Sequence, residues 1–341
     1  MTGSFPCVAG GGLLGCSAVV SSRCFAGWLA LVAGVGGCAT SSGEVAEAAS
    51  GGGGEGGQGG EAGAGQPGGA GQGGEAGAGV EAGQGGAGEA GQGGAASRCQ
   101  VTATSVYCEH NVSKLVAGTA VRDVYWQTPV TPAPAGGYPV VVVYQGSLGG
   151  PSLTWGMLTP EVPFGGFHQG RLQARLLDEG FLVIAPAAAA EVAWQTNSGV
   201  PYELTTDKLV IDALLKAIQA GQYGPADLKR LYATGISSGG YMTSRMAVSY
   251  PGVFRALAIQ SASYATCLGA ACVVPPLPKD HPPTLLLHGQ LDTTVPLFTA
   301  QLYDEALKQG GFPRELIVDP AAGHEWLAAA PEKITGWFQT H

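Results

Sequence analysis

The run Tyr138-Pro-Val-Val-Val-Val-Tyr144 limits the fold more than any other stretch of this chain. Consecutive β-branched residues favour a strand, and because side chains alternate between faces, both faces of this strand must be covered. The neighbouring segments supply the covers. Residues 170–180 place Leu172, Leu176 and Leu177 on one helical face with Gly180 as the stop, and residues 206–219 read as a capped amphipathic helix. Residues 121–127 alternate with period two, and residues 181–186 form another apolar strand. Beyond them the pattern predicts a strand over 230–236, a helix over 239–249 and strands over 254–260 and 284–288. A helix over 297–309, a strand over 314–319 and a last helix from about 331 complete it. Such alternation implies an α/β domain, a mostly parallel sheet with helices on both faces and its site at the carboxyl ends of the strands.

What precedes this region cannot join it. Residues 43–96 hold 25 of the 58 glycines and seven of the 25 acidic residues, with no basic and no aromatic residue. Nothing there can offset the entropy of ordering the backbone, so a disordered linker is expected over 39–98, between a signal sequence (1–38) and a catalytic domain (99–341). The unit Gly57-Gln-Gly-Gly-Glu-Ala-Gly-Ala-Gly65 recurs at Gly71–Gly79, but it has no apolar face to stack. As a random coil the linker spans about 40 Å. Ahead of it, Arg23 and an apolar stretch lead to Val35-Gly-Gly-Cys38, an export signal that resembles a bacterial lipobox, which implies lipidation at Cys38, with ordinary secretion and cleavage nearby as the alternative. Met1 to Ser22 precede that basic residue, so the true start is expected downstream of Met1. Residues 97–341 carry 15 Lys and Arg against 18 Asp and Glu, which gives no support for nucleic-acid binding.

Four cysteines remain in the folded region, Cys99, Cys108, Cys267 and Cys272, and four allow three pairings. The local pairs Cys99–Cys108 and Cys267–Cys272 are expected in an oxidising compartment. No C-x₂-C or H-x₃-H spacing suggests a metal, and no glycine-rich dinucleotide or phosphate loop follows the first strand.

The chemistry is carried by Gly235-Ile-Ser237-Ser-Gly239, a G-x-S-x-G pattern set where an apolar strand meets a helix. A serine hydroxyl needs a base to remove its proton, and the base needs a third group to orient it. Asp292 follows the strand over 284–288 and His324 follows the strand over 314–319, so all three fall at one edge of the sheet in the order Ser, acid, His. The rivals are weaker. Asp319 is followed by Pro320 and lies close in sequence to His324, and Asp280 precedes a strand. His288 ends a strand and reads as structural; His110, His168 and His281 do not follow core strands, and His341 is the last residue.

With these motifs in hand, the chain resembles the α/β-hydrolase fold, and more narrowly the secreted esterases that include poly(3-hydroxybutyrate) depolymerases, feruloyl esterases and acetylxylan esterases. Tyr232-Ala-Thr-Gly-Ile-Ser-Ser-Gly-Gly-Tyr-Met-Thr243, Tyr250-Pro-Gly-Val-Phe254, His288-Gly-Gln-Leu-Asp-Thr-Thr-Val-Pro296 and Gly323-His-Glu-Trp326 carry the resemblance. It implies an oxyanion hole made by the Ser238 N–H and a donor in Tyr144-Gln-Gly-Ser147, with Ser147 as first choice and Gly146 or Leu148 as alternatives. Gln145 stands where the family usually has His. Trp155, Trp194 and Trp326 are expected near the site, either shaping a pocket or packing the core.

The expected protein is therefore an exported, lipid-anchored serine esterase that needs no cofactor and meets the membrane only through its anchor. Polymer-degrading members carry a separate binding domain, which favours a soluble ester or a short hydroxyalkanoate oligomer here. Polymer hydrolysis and peptide hydrolysis by the same triad are the alternatives, with a non-catalytic surface module behind them.

Overall fold

The structure, a computed structural model, describes residues Ser97–His341 apart from Ser198. The expected signal, Cys38 and the linker as far as residue 96 lie outside the described residues.

A short antiparallel pair, β1 (Cys99–Val101) and β2 (Val106–Cys108), is closed by the Cys99–Cys108 disulfide. The central sheet begins with β3 (Asn111–Ala117) and β4 (Ala120–Gln127), which pair antiparallel. Then follow β5 (Tyr138–Tyr144), β6 (Leu182–Pro186), β7 (Ala226–Ile236), β8 (Ala256–Gln260), β9 (Thr284–Gly289) and β10 (Arg314–Asp319). Across the eight-stranded sheet the order is β10-β9-β8-β7-β5-β6-β4-β3, and the six strands from β5 onward run parallel. This is the α/β-hydrolase arrangement.

The β5 run does what its composition requires. Val140, Val142 and Tyr144 enter a core shared with α3 (Thr206–Gln219) and α4 (Ser238–Ser249), where Ile211, Leu214, Met242 and Met246 lie. Val141 and Val143 enter the opposite core, with Leu172, Leu176 and Leu177 of α2 (Gly166–Asp178) and Ile334 and Phe338 of α6 (Ala330–Thr340). Every residue of β5 is buried, each valine worth about 1.5–3 kcal/mol relative to exposure. A third cluster joins β9 to α5 (Leu297–Gln309) through Leu286, Tyr303 and Leu307. The remaining helix, α1 (Pro151–Thr154), is a single turn.

Two boundaries shift by four residues, and one strand of the sheet was not expected. Helix α2 starts four residues earlier than position 170, because Gly166 and Gly170 hide a helical start that packing enforces. Strand β7 starts at Ala226 rather than 230; its first residues pair with the start of β5 at Tyr138, where the register shifts. Strand β3 is an edge strand with only Leu115 and Ala117 buried, too weak a pattern to stand out in sequence.

Chain order places the site. From β5 the chain passes to β6 on one side and then returns to β7 on the other. Where successive connections diverge in this way, the loops leave a crevice at the carboxyl ends, here beyond Tyr144 and Ile236.

Candidate active site

Ser237 occupies that crevice. Strand β7 ends at Ile236 and α4 starts at Ser238, so Ser237 turns the chain alone, with φ 55° and ψ −122°. A non-glycine residue there costs roughly 1–3 kcal/mol and persists only where its surroundings fix it. The fixing bonds are its N–H to the Gln260 carbonyl (3.1 Å) and the Tyr241 N–H to its own carbonyl (3.0 Å). Gly235 and Gly239 give the clearance: a Cβ on Gly235 would lie 2.6 Å from the carbonyl oxygens of Tyr144 and Gly239, and one on Gly239 would collide with Tyr144 and Gln145. The Ser238 N–H opens a helix and so has no partner within it.

Across the crevice runs Gln145-Gly-Ser-Leu148. It passes beside the serine, since a Cβ on Gly146 would lie 3.8 Å from that of Ser237. The Leu148 N–H is already used, donating to the Val192 carbonyl at 2.8 Å, which leaves Ser147 and Gly146 as possible donors. Gln145 holds this loop in place. Buried at 1% exposure, it accepts the Ala188 N–H (2.9 Å) and donates through Nε2 to the carbonyls of Glu191 (2.8 Å) and Gly146 (3.3 Å). The carboxylate of Glu191 in turn takes the N–H and hydroxyl of Ser152.

Asp292 and His324 meet directly. Nδ1 of His324 donates to Oδ2 of Asp292 at 2.8 Å, which leaves Nε2 as the lone-pair nitrogen. Oδ1 of Asp292 accepts the N–H groups of Thr294 (2.9 Å) and Val295 (2.8 Å), so the carboxylate is fixed from both sides. Burial pushes its pKa up, but the hydrogen bond and charge of His324, the Val295 N–H and His288 outweigh this and hold it below the usual aspartate value. His288 lies 3.4 Å from the same oxygen and donates Nε2–H to the Val295 carbonyl (2.8 Å). Burial keeps its imidazole below the usual histidine value, against the Val295 carbonyl and Asp292, which makes it a neutral buttress. Asp319 instead accepts the Ala321 N–H (2.9 Å) in a turn.

Sequence reasoning missed two residues here. Gln260, wholly buried at the end of β8, donates to the carbonyls of Leu287 (3.1 Å) and Glu325 (2.8 Å) and accepts the Leu327 N–H (3.3 Å). Because its own carbonyl takes the Ser237 N–H, it ties the serine turn to the histidine loop. A glutamine ending the apolar strand Ala256-Leu-Ala-Ile-Gln260 was the available signal. The other is Phe164, whose ring meets the His324 imidazole edge to face at 6.1 Å. Trp155, Trp194 and Trp326 are buried members of the cores, so packing is their role. The second disulfide joins Cys267 to Cys272. No helix among the described residues is long and apolar enough to cross a membrane.

This fold and this edge fit a hydrolase of the serine class. Comparison with known proteins narrows the class. The chain is 48% identical over 260 residues to the poly(3-hydroxyoctanoate) depolymerase of Pseudomonas fluorescens, covering 72% of this chain and 92% of that protein. It belongs to that depolymerase's family. No family model matches the chain. Solved structures similar to it include the thermophilic esterase Est2 of Thermogutta terrifontis, 16% identical with a TM-score of 0.48, covering 68% of this chain and 91% of that one. Another is a puromycin-hydrolysing peptidase of Mycobacterium tuberculosis, 19% identical with a TM-score of 0.49, covering 68% of this chain and 39% of that one.

Proposed function

We infer that the protein is an exported polyester hydrolase acting on poly(3-hydroxyalkanoates) with medium-length side chains. Ser237 attacks the ester carbonyl while Nε2 of His324 takes its proton, and Asp292 orients the imidazole and balances its charge. The N–H groups of Ser238 and Ser147 stabilise the oxyanion. His324 then protonates the departing alcohol, and water activated by the same nitrogen releases the acid.

The observation that carries the reading is the 48% identity to a poly(3-hydroxyoctanoate) depolymerase across nearly its whole length. The aligned segment makes up 92% of that protein, so the likeness extends over nearly all of it. The crevice supports a polymer as well, because Leu148, Phe164, Val192 and Leu291 stand exposed in the loops around it. Export through the 1–38 signal and anchoring at Cys38 complete the proposal, supported by two disulfides of a kind that persists under oxidising conditions.

The test is clearing of a poly(3-hydroxyoctanoate) suspension beside hydrolysis of a soluble aryl ester. Wild type should do both, and Ser237→Ala should do neither, with a loss on the order of 10⁶. Soluble-ester activity without clearing would move the substrate back to small esters. Retained activity in Ser237→Ala would remove the serine mechanism.

A further inference from the structure

Among the described residues, the one aromatic ring paired with the His324 imidazole belongs to a residue in an unusual state. Phe164 has φ 57° and ψ 30°, the left-handed region that a bulky L residue rarely adopts. The residue is 48% exposed, so core burial does not explain the conformation. The backbone is instead clamped to the histidine loop. The Trp326 N–H donates to the Phe164 carbonyl at 2.9 Å, and Gly165, also at positive φ, lies so close to the Trp326 backbone that any Cβ there would collide with it. Phe164 is thus held at a fixed place relative to His324, with half its surface open.

The chemistry says which part of a substrate meets that surface. The carbonyl oxygen must point toward the donors beyond β5 and β7, at Ser147 and Ser238. The group that leaves must lie beside Nε2 of His324, which protonates it. A ring resting on the imidazole therefore borders the alcohol half of the ester rather than the acyl half. In a polyhydroxyalkanoate both halves carry the same aliphatic branch, so a wall on this side touches the branch of the unit whose hydroxyl departs. Leu291 lines the same side, its N–H donating to the Ala322 carbonyl (2.9 Å) beside the histidine loop, and it too is exposed.

We propose that Phe164 is the specificity-determining residue for the alcohol side of the ester, selecting leaving groups with an aliphatic chain. The proposal rests on the Ser237–His324 reading and extends it to a named subsite. It is tested with two soluble series, so that adsorption to polymer plays no part. One series keeps the acyl group and lengthens the alcohol from methyl to octyl; the other keeps a nitrophenyl alcohol and lengthens the acyl chain from two to eight carbons. Wild type, Phe164→Ala, Phe164→Leu and Ser237→Ala are compared by kcat/KM.

The wild type should gain along the alcohol series. Phe164→Ala should lose that gain, by about 5- to 10-fold at octyl and under about twofold at methyl, because an apolar wall discriminates by the chain it covers. Its acyl-chain profile should stay parallel to wild type, and Phe164→Leu should restore most of the alcohol preference. An unchanged alcohol profile in Phe164→Ala overturns the proposal. So does an equal fall in both series, which would mean that the ring only supports His324. Activity in Ser237→Ala would instead mark failure of the underlying serine reading.

Discussion

Changing Asp292 to Asn alters one atom and tests the whole arrangement. Oδ1 of Asp292 accepts two backbone N–H groups, while Oδ2 accepts Nδ1–H of His324. An asparagine keeps its carbonyl oxygen toward the two backbone donors, because turning the NH₂ there would oppose donor to donor twice. The NH₂ then faces Nδ1 of His324, which must become the acceptor, and the imidazole proton moves to Nε2. In that tautomer His324 cannot take the Ser237 proton. Loss of the correct tautomer in a serine triad lowers kcat by about 10⁴, or about 5.4 kcal/mol of transition-state stabilisation. Folding should survive, since both backbone bonds remain. Asp319→Asn is the control: its carboxylate serves a turn at Ala321, and activity should stay within about twofold of wild type. Rates on a soluble nitrophenyl ester, with thermal melts to verify folding, decide the matter. Equal losses in the two variants would refute the reasoning, as would an Asp292→Asn enzyme that keeps a tenth or more of wild-type kcat.

Gln145→Ala should lower kcat by about 10- to 100-fold with little change in KM, because it frees the loop carrying the oxyanion donor, and affinity for a phosphonate transition-state analogue should fall in parallel. The buried His281, bonded to Tyr303 (2.8 Å) and to the Pro282 carbonyl (2.9 Å), has its pKa pushed down to about 4 by burial. The unfolded chain takes up that proton near pH 6.5, so stability should fall as pH drops from about 6.5 to about 4, by on the order of 3 kcal/mol in full. Urea melts across that window should be flatter for His281→Gln, and equal slopes would contradict the assignment. Cys38→Ser should move the protein from the membrane fraction to the soluble fraction without changing its rate on a soluble ester, as fractionation and activity assays will show.

How much of this was legible in the sequence follows from the range of the interactions. The β5 strand could be read because four adjacent valines leave a chain no other use for them. Ser237, Asp292 and His324 could be placed at one edge because each follows a strand within a few residues, and parallel strands deliver their ends to one edge. The oxyanion donor was only partly legible, since a backbone N–H leaves no mark on residue type; Leu148 drops out only through its bond to Val192. Phe164 was not legible because its partner His324 lies far along the chain, and Gln260 left only the mark of a glutamine ending an apolar strand, its partners Glu325 and Leu327 lying as far away. Strand β3 escaped notice for the opposite reason: an edge strand needs little apolar surface, so it shows little pattern.

The backbone marks the site by a route that the side chains do not. Among the described residues, six non-glycine residues have positive φ: Leu148, Phe164, Ala190, Glu191, Ser237 and Ser261. Each belongs to a loop at the carboxyl edge of the sheet or in contact with one. Leu148 follows β5 and bonds to Val192; Ala190 and Glu191 follow β6 in the turn that Gln145 grips. Ser237 follows β7, Ser261 follows β8 and bonds to the Glu325 carbonyl, and Phe164 is clamped to Trp326. Each is a conformation costing roughly 1–3 kcal/mol that survives only where its surroundings over-determine it. The opposite edge of the sheet carries none among the described residues. The two cores around β5 supply the rigidity, and the loops spend it in one place, holding the proposed donors, base and nucleophile at positions that a relaxed backbone would not keep. Catalysis by preorganised dipoles requires that the groups not reorganise when charge develops. On the proposed reading, strained residues held in part by the buried Gln145 and Gln260 are how this chain would meet that requirement.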